Sequence, residues 1–197
     1  MNTSGTHLRA LICEDEGITV MQLRRALQRA GYEVVGEAAD GEDAIRLAED
    51  LQPDVIIMDL NMPRVSGVEA TRRITERRPV PIVVLTAYSD ELSVDAAMQA
   101  GACAYLVKPV SADQLMPAVR AALARFDAME AVRKENEDLK DALETRKLVE
   151  RAKGILMTRK NLAEAEAFRL LQKMSRDKCQ TMKRTAVEII EADRLFS

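Results

Sequence analysis

Five short apolar runs in the first 110 residues constrain this chain more than any other feature: Leu8–Cys13, Glu33–Ala38, Asp54–Asp59, Pro81–Thr86 and Ala104–Val107. Three of them contain nearly unbroken hydrophobic stretches, ALIC, VIIM and PIVVL. A strand with one face in water alternates in polarity, whereas a continuously apolar one must be covered on both faces. Parallel strands flanked by helices meet that requirement. Between the runs the apolar spacing turns helical, as in Val20, Leu23, Leu27 and Ala30, then in Ala44, Ile45, Leu47, Ala48 and Leu51. Gly31, Pro53 and Gly101 fall where such helices should stop. The alternation predicts an α/β fold with an open, doubly wound, five-stranded parallel sheet.

Composition agrees with helices packed on such a sheet. Aromatics make up 3% of the 197 residues and Trp is absent, so a core must come from Leu, Ile, Val, Ala and Met. Cys13, Cys103 and Cys179 lie far apart and match neither a disulfide framework nor a zinc-ligand spacing, which predicts a reducing, cytoplasmic setting. Met1 to His7 is short and polar, with no apolar stretch of a secretory leader. No run approaches the roughly 18 apolar residues of a membrane span, so no membrane partner is expected.

A further helix is predicted after Pro109, started by the capping-box spacing of Ser111 and Gln114, with Pro117 inside it. Beyond Arg125 the sequence becomes charge-rich and free of Gly and Pro. Met129, Val132, Asn136, Leu139 and Leu143 there repeat at intervals of 3 and 4, a two-heptad coiled-coil seam with one polar position. From Leu148 three helical segments follow, around Leu148–Leu156, Ala163–Leu171 and Met182–Ile190. The expected organisation is a domain over 1–125, a helical or coiled-coil linker over 126–147, and a small three-helix unit over 148–197.

Charge divides the same way. Residues 1–110 carry 11 Lys and Arg against 17 Asp and Glu, residues 111–147 carry 7 against 8, and residues 148–197 carry 11 against 7. A basic unit behind an acidic one points to an anionic partner for the tail, although a solvated helical surface has the same composition.

In open α/β sheets, ligands bind beyond the carboxyl ends of the strands. Here those ends carry Glu14, Asp15 and Glu16 after strand one, Asp59 at strand three, Thr86 at strand four and Lys108 after strand five. Carboxylates gathered at one edge repel one another unless a cation sits among them, and Mg2+ suits carboxylate, carbonyl and water oxygens. Asp59 then becomes a nucleophile toward a phosphoryl group, Lys108 a second positive contact, and the Thr86 hydroxyl a donor to the acyl phosphate.

Over about Leu8 to Arg125 this constellation resembles the receiver domain of two-component response regulators, which has a flavodoxin-like fold. The resemblance rests on Glu14 and Asp15, the segment MDLNMPRVSG from Met58 to Gly67, VLTAY with Thr86, and YLVKP with Lys108. It implies that Asp59 accepts phosphate from a sensor histidine kinase, and that Mg2+ is held by Glu14, Asp15, Asp59 and the Asn61 carbonyl. It also implies that Thr86 and Tyr105 reorient on phosphorylation. The first acidic position is Glu14 where Asp is commoner, so its metal contact is expected through water.

The tail resembles the ANTAR domain, an RNA-binding antiterminator module. The matching residues are Arg151 to Gly154, Leu156 and Met157, Glu164 to Phe168, Leu171, Ser175 and Arg176, and Ala186 to Ile190. Cys179 stands where the family often has Asn. The resemblance implies hairpin RNA as partner and a homodimer promoted by phosphorylation. Arg151, Lys153, Arg159, Lys160, Arg176, Lys178, Lys183 and Arg184 are the candidate phosphate contacts. Gly154 inside a helix costs about 1 kcal/mol against Ala, which implies close packing or close backbone approach there. Phe168 reads as core, so base recognition is expected from polar or Arg groups. A DNA-binding output and a protein–protein adaptor remain alternatives. P-loop, dinucleotide-binding and kinase motifs are missing, so a stand-alone enzyme is not expected.

Overall fold

The computed structural model describes residues 7–87 and 91–195. The expectations that touch Met1–Thr6, Tyr88 and Phe196 lie outside the described residues. Two compact units are distinguished, residues 1–130 and 131–197.

The first unit alternates strands and helices: β1 (Arg9–Cys13), α1 (Gly17–Arg29), β2 (Glu33–Ala38), α2 (Gly41–Leu51), β3 (Val55–Asp59), α3 (Gly67–Arg77), β4 (Ile82–Thr86), α4 (Glu91–Gln99) and β5 (Ala104–Val107). The strands form one parallel sheet in the order β2-β1-β3-β4-β5. The three strands with continuous apolar stretches are the central ones. β3 and β4 are buried throughout and β1 from Ala10 onward, while the edge strands β2 and β5 are mostly half-buried. Leu11, Ile56, Met58, Ile82 and Val84 pack on one face with Ala44, Ala48, Ala70 and Ile74 from α2 and α3. Ala10, Ile12, Ile57, Val83 and Leu85 pack on the other with Leu23 and Leu27 from α1 and Leu115 and Val119 from the helix after β5. The order reverses beside β1, so ligand groups collect outside the carboxyl ends of β1 and β3.

That last helix, α5, runs without interruption from Ala112 to Lys160 and contains Pro117. Its start is held by the Gln114 side chain, which accepts from the Ser111 backbone N–H at 3.2 Å and from the Ser111 hydroxyl at 3.0 Å. The expected boundaries at 125 and 147 both fall within this one helix. The first of the three tail segments is therefore the end of α5 and not a separate helix. Neither Gly nor Pro occurs between Val119 and Lys153 to break it.

In the second unit the last turns of α5 join α6 (Glu164–Asp177) and α7 (Met182–Leu195). Their core is small: Val149, Ala152, Leu156, Ala167, Leu171, Ala186, Ile189 and Ile190. The Glu166 carboxylate caps α6 by accepting from the Ala163 backbone N–H at 2.9 Å, where an acid also suits the helix dipole. Lys183 ties α7 to α5 through Asp141 and Glu144, both at 2.7 Å. The turn between α6 and α7 places Cys179 at φ 51°, a left-handed conformation that Asn tolerates better than most residues. No described helix is long and apolar enough to cross a membrane.

Candidate functional site

The carboxyl ends of β1, β3, β4 and β5 bring together Glu14, Asp59, Thr86 and Lys108, as their placement after the strands required. One ligand atom from each of Glu14, Asp15 and Asp59 lies within 4.8 Å of the others. Glu14 and Asp59 are buried, at 2% and 3% exposure, whereas Asp15 is exposed. Lys108, which precedes a cis peptide to Pro109, reaches across the edge. Its ammonium donates to Asp59 Oδ2 at 2.6 Å and to Glu14 Oε1 at 2.9 Å. Asp59 Oδ1 accepts the backbone N–H of Asn61 at 3.1 Å, which fixes the carboxylate from its other side. Asn61 is itself exposed. Thr86 is buried, and its hydroxyl donates to the Ala87 carbonyl at 3.2 Å. Tyr105 stands on β5 with about half its surface exposed, 52%.

The electrostatics follow from this crowding. Burial, and then the neighbouring Asp59 charge, push the Glu14 carboxyl above its ordinary pKa, against the pull of Lys108. Burial alone would lower the Lys108 pKa, but the hydrogen bonds to Asp59 and Glu14 outweigh it and the group lies above its ordinary value. The lysine is held firmly as a cation. Glu14 Oε2 lies 2.7 Å from the same ammonium yet is buried without a directed hydrogen bond. Three carboxylates gathered at one edge, with Lys108 contacting only two of them, form a donor set that fits a hard divalent cation such as Mg2+.

One contributor escaped the sequence reading. A Cβ at Gly67 would overlap the Asp59 carbonyl oxygen, and the Gly67 N–H donates to the Leu60 carbonyl at 3.0 Å. The acceptor loop thus folds back onto its own strand, and only Gly permits that approach. Position 67 closes the MDLNMPRVSG segment, so a glycine beside the acceptor was the available signal. Arg64 in the same loop pairs with Asp40, the residue that caps α2 through the Glu42 and Asp43 N–H groups.

Comparison with known proteins decides the family. A response regulator receiver domain model matches residues 10–120, and an ANTAR domain model matches residues 137–190. The chain is an ANTAR response regulator. The regulator is 48% identical over 183 residues to the transcriptional regulatory protein PdtaR of Mycobacterium tuberculosis, covering 93% of this chain and 89% of that protein. Among solved structures it is similar to a receiver domain of a modulated diguanylate cyclase from Desulfovibrio desulfuricans G20 (TM-score 0.58, 31% identity, 62% of this chain and 98% of that one). It is also similar to the receiver domain of the sensor histidine kinase PA1611 of Pseudomonas aeruginosa PAO1 (TM-score 0.55, 31% identity, 60% and 99%), which holds a magnesium ion in its active-site cleft.

In the regulator's ANTAR unit, the candidate cations divide by environment. Lys153 is buried and paired with Glu164 at 2.7 Å and Glu150 at 2.9 Å, so its charge is matched within the domain. Lys183, Lys178 and Arg159 are also engaged, with Asp141 and Glu144, with Glu188, and with Asp193. Arg184 lies 3.8 Å from Glu188. Among the described residues Arg151, Lys160 and Arg176 are exposed and have no ion-pair partner. Spacing alone could not separate these groups, because pairing depends on the fold of three helices. Phe168, expected in the core, is instead 38% exposed, because α6 turns Ala167 and Leu171 inward. Gly154 is exposed and a Cβ there would meet nothing within 4 Å, so close packing against the protein does not account for it.

Proposed function

We propose that this regulator is phosphorylated on Asp59 by a sensor histidine kinase, and that the phosphate promotes homodimerisation, hairpin-RNA binding and transcription antitermination. The observation that carries the reading is the Lys108–Asp59–Glu14 cluster in a receiver that shares its chain with an ANTAR domain. Glu14, Asp15, Asp59 and the Asn61 carbonyl would hold Mg2+, whose charge offsets that of the phosphoryl oxygens. An Asp59 carboxylate oxygen attacks phosphorus, the phosphohistidine P–N bond breaks, and an acyl phosphate forms as the imidazole leaves with the bond's electrons and takes a proton from solvent. Lys108 loses part of its hold on Asp59 and meets the phosphoryl group. Thr86 turns its hydroxyl from the Ala87 carbonyl toward the new phosphate, and Tyr105 follows.

The seam on α5 is the proposed dimer contact. Met129, Val132, Leu139 and Leu143 are 55–66% exposed, and Asn136 lies among them as a polar position that favours two strands in register. No catalysis beyond the phosphotransfer is proposed, and the setting is cytoplasmic.

Labelling by a small phosphodonor with Mg2+ tests the acceptor. The wild type should be labelled and Asp59→Asn should not. Equal labelling of the two would refute the assignment.

A further inference from the structure

In residues 131–195 Phe168 is the only aromatic side chain. Burial would be its ordinary fate in so small a core, yet it stands 38% exposed on α6. The Lys153 ammonium lies 6.0 Å from its ring centroid, and Lys153 is itself held by Glu150 and Glu164. The ring is thus steadied on one side by a fixed cation.

The helix around it is asymmetric in charge. Ala167, Leu171 and Ser175 form the buried side of α6. Arg169, Lys173 and Arg176 follow at intervals of 4 and 3, which puts them in one row, and all three are exposed. Phe168 lies on a second row, at intervals of 4, that meets the first at Arg176. Among the described residues none of these three cations has an ion-pair partner, whereas Lys153, Lys178 and Lys183 each find carboxylates. Exposed cations without carboxylates on a helix that also carries an exposed aromatic suit a single-stranded nucleic acid, since phosphates take the charge and a base takes the ring.

We infer that Phe168 is a stacking platform for an unpaired loop base of RNA, with Arg169, Lys173 and Arg176 holding the neighbouring phosphates. This rests on the RNA-binding reading above and specifies its contact face. Loop bases are the part of an RNA hairpin that can be splayed onto an aromatic, whereas bases inside a duplex cannot reach it.

The test uses the full chain, treated with a small phosphodonor and Mg2+, and a pool of hairpin RNAs with randomised loops from which the wild type selects binders. Against one selected hairpin, Phe168→Leu should lose about 5- to 150-fold in affinity at unchanged salt dependence, and Phe168→Tyr should bind like the wild type. The variant with Arg169, Lys173 and Arg176 all changed to Gln alters only exposed side chains. It should lower the slope of log affinity against log salt by about 2. If the wild type selects no hairpin, the RNA-binding reading itself fails and this inference with it. If it selects hairpins but Phe168→Leu binds them equally, or the triple variant keeps the wild-type slope, RNA binding stands and the α6 face is not its site. Equal binding to duplex DNA of the same charge would likewise overturn base stacking.

Discussion

Replacing Lys108 by Met keeps the aliphatic stem and removes the cation from between two buried carboxylates. Its ammonium lies 2.6 Å from Asp59 and 2.7 Å from Glu14. At an effective dielectric of about 20, each contact is worth roughly 6 kcal/mol before desolvation. Carboxylate oxygens within 4.8 Å of each other repel by at least roughly 3 kcal/mol on the same scale. Desolvation of three ions consumes most of the gross attraction. What remains measurable is the cost of stranding buried charges, about 3–5 kcal/mol for a fully buried pair. The Lys108 side chain keeps 24% exposure, so water screens part of this and about 2–4 kcal/mol is expected. In urea unfolding followed by circular dichroism, with chelator present, the receiver should lose that amount, equivalent to a midpoint drop on the order of 10 °C on heating. Millimolar Mg2+ should return most of the loss in Lys108→Met, because Glu14, Asp15 and Asp59 would still hold a cation among them. Unchanged unfolding of Lys108→Met in chelator would refute the view that this cation neutralises the site.

Three further outcomes follow from the geometry. Gly154→Ala should stabilise the ANTAR unit by about 0.5–1 kcal/mol, read as a raised urea midpoint, because the added methyl meets nothing and helix propensity rises. Asn136→Leu should raise dimer affinity at least about tenfold in sedimentation, since each buried Leu contributes about 1.5–3 kcal/mol; an unchanged oligomeric state would make the seam an ordinary solvated helix face. Acid should loosen α6 and α7 locally. Lys153 holds the Glu164 carboxyl below the ordinary glutamate range, and Lys178 does the same for Glu188. Depressed carboxylates contribute stability that is present above the unfolded-state value and is lost as pH falls through the folded one. Amide protection in the first turn of α6, taken relative to the intrinsic exchange rate at each pH, should therefore fall below the ordinary glutamate range, and should do so less in Glu164→Gln, measured against its own protection at neutral pH.

Much of the receiver was legible because its signals are local. A continuously apolar run needs cover on both faces, so ALIC, VIIM and PIVVL pointed to the central strands of a parallel sheet, and polar residues after such strands pointed to one edge. The contacts between Lys108, Asp59 and Glu14 follow from topology alone, 49 and 94 residues apart in sequence. Gly67 was harder, since its role depends on how the loop folds back over the Asp59 carbonyl. In the tail, local signals were weaker guides. Helical periodicity found the three segments but could not show that the first continues from the linker, because nothing in the sequence ends α5 before Lys160. Whether a lysine is free or paired is settled by neighbours on other helices, as Lys153 and Lys183 demonstrate. Phe168 read as core from its size and hydrophobicity, but the inward positions of α6 went to Ala167 and Leu171.

The central claim is that a phosphate on Asp59 controls RNA engagement by the other unit. The most direct measurement is the affinity of the full chain for a selected hairpin RNA, with and without a small phosphodonor in Mg2+, beside duplex DNA of equal charge and beside Asp59→Asn. Tighter, salt-dependent binding of the hairpin by the phosphorylated wild type alone is the predicted result. Equal affinity with and without phosphodonor, or equal response in Asp59→Asn, would contradict it.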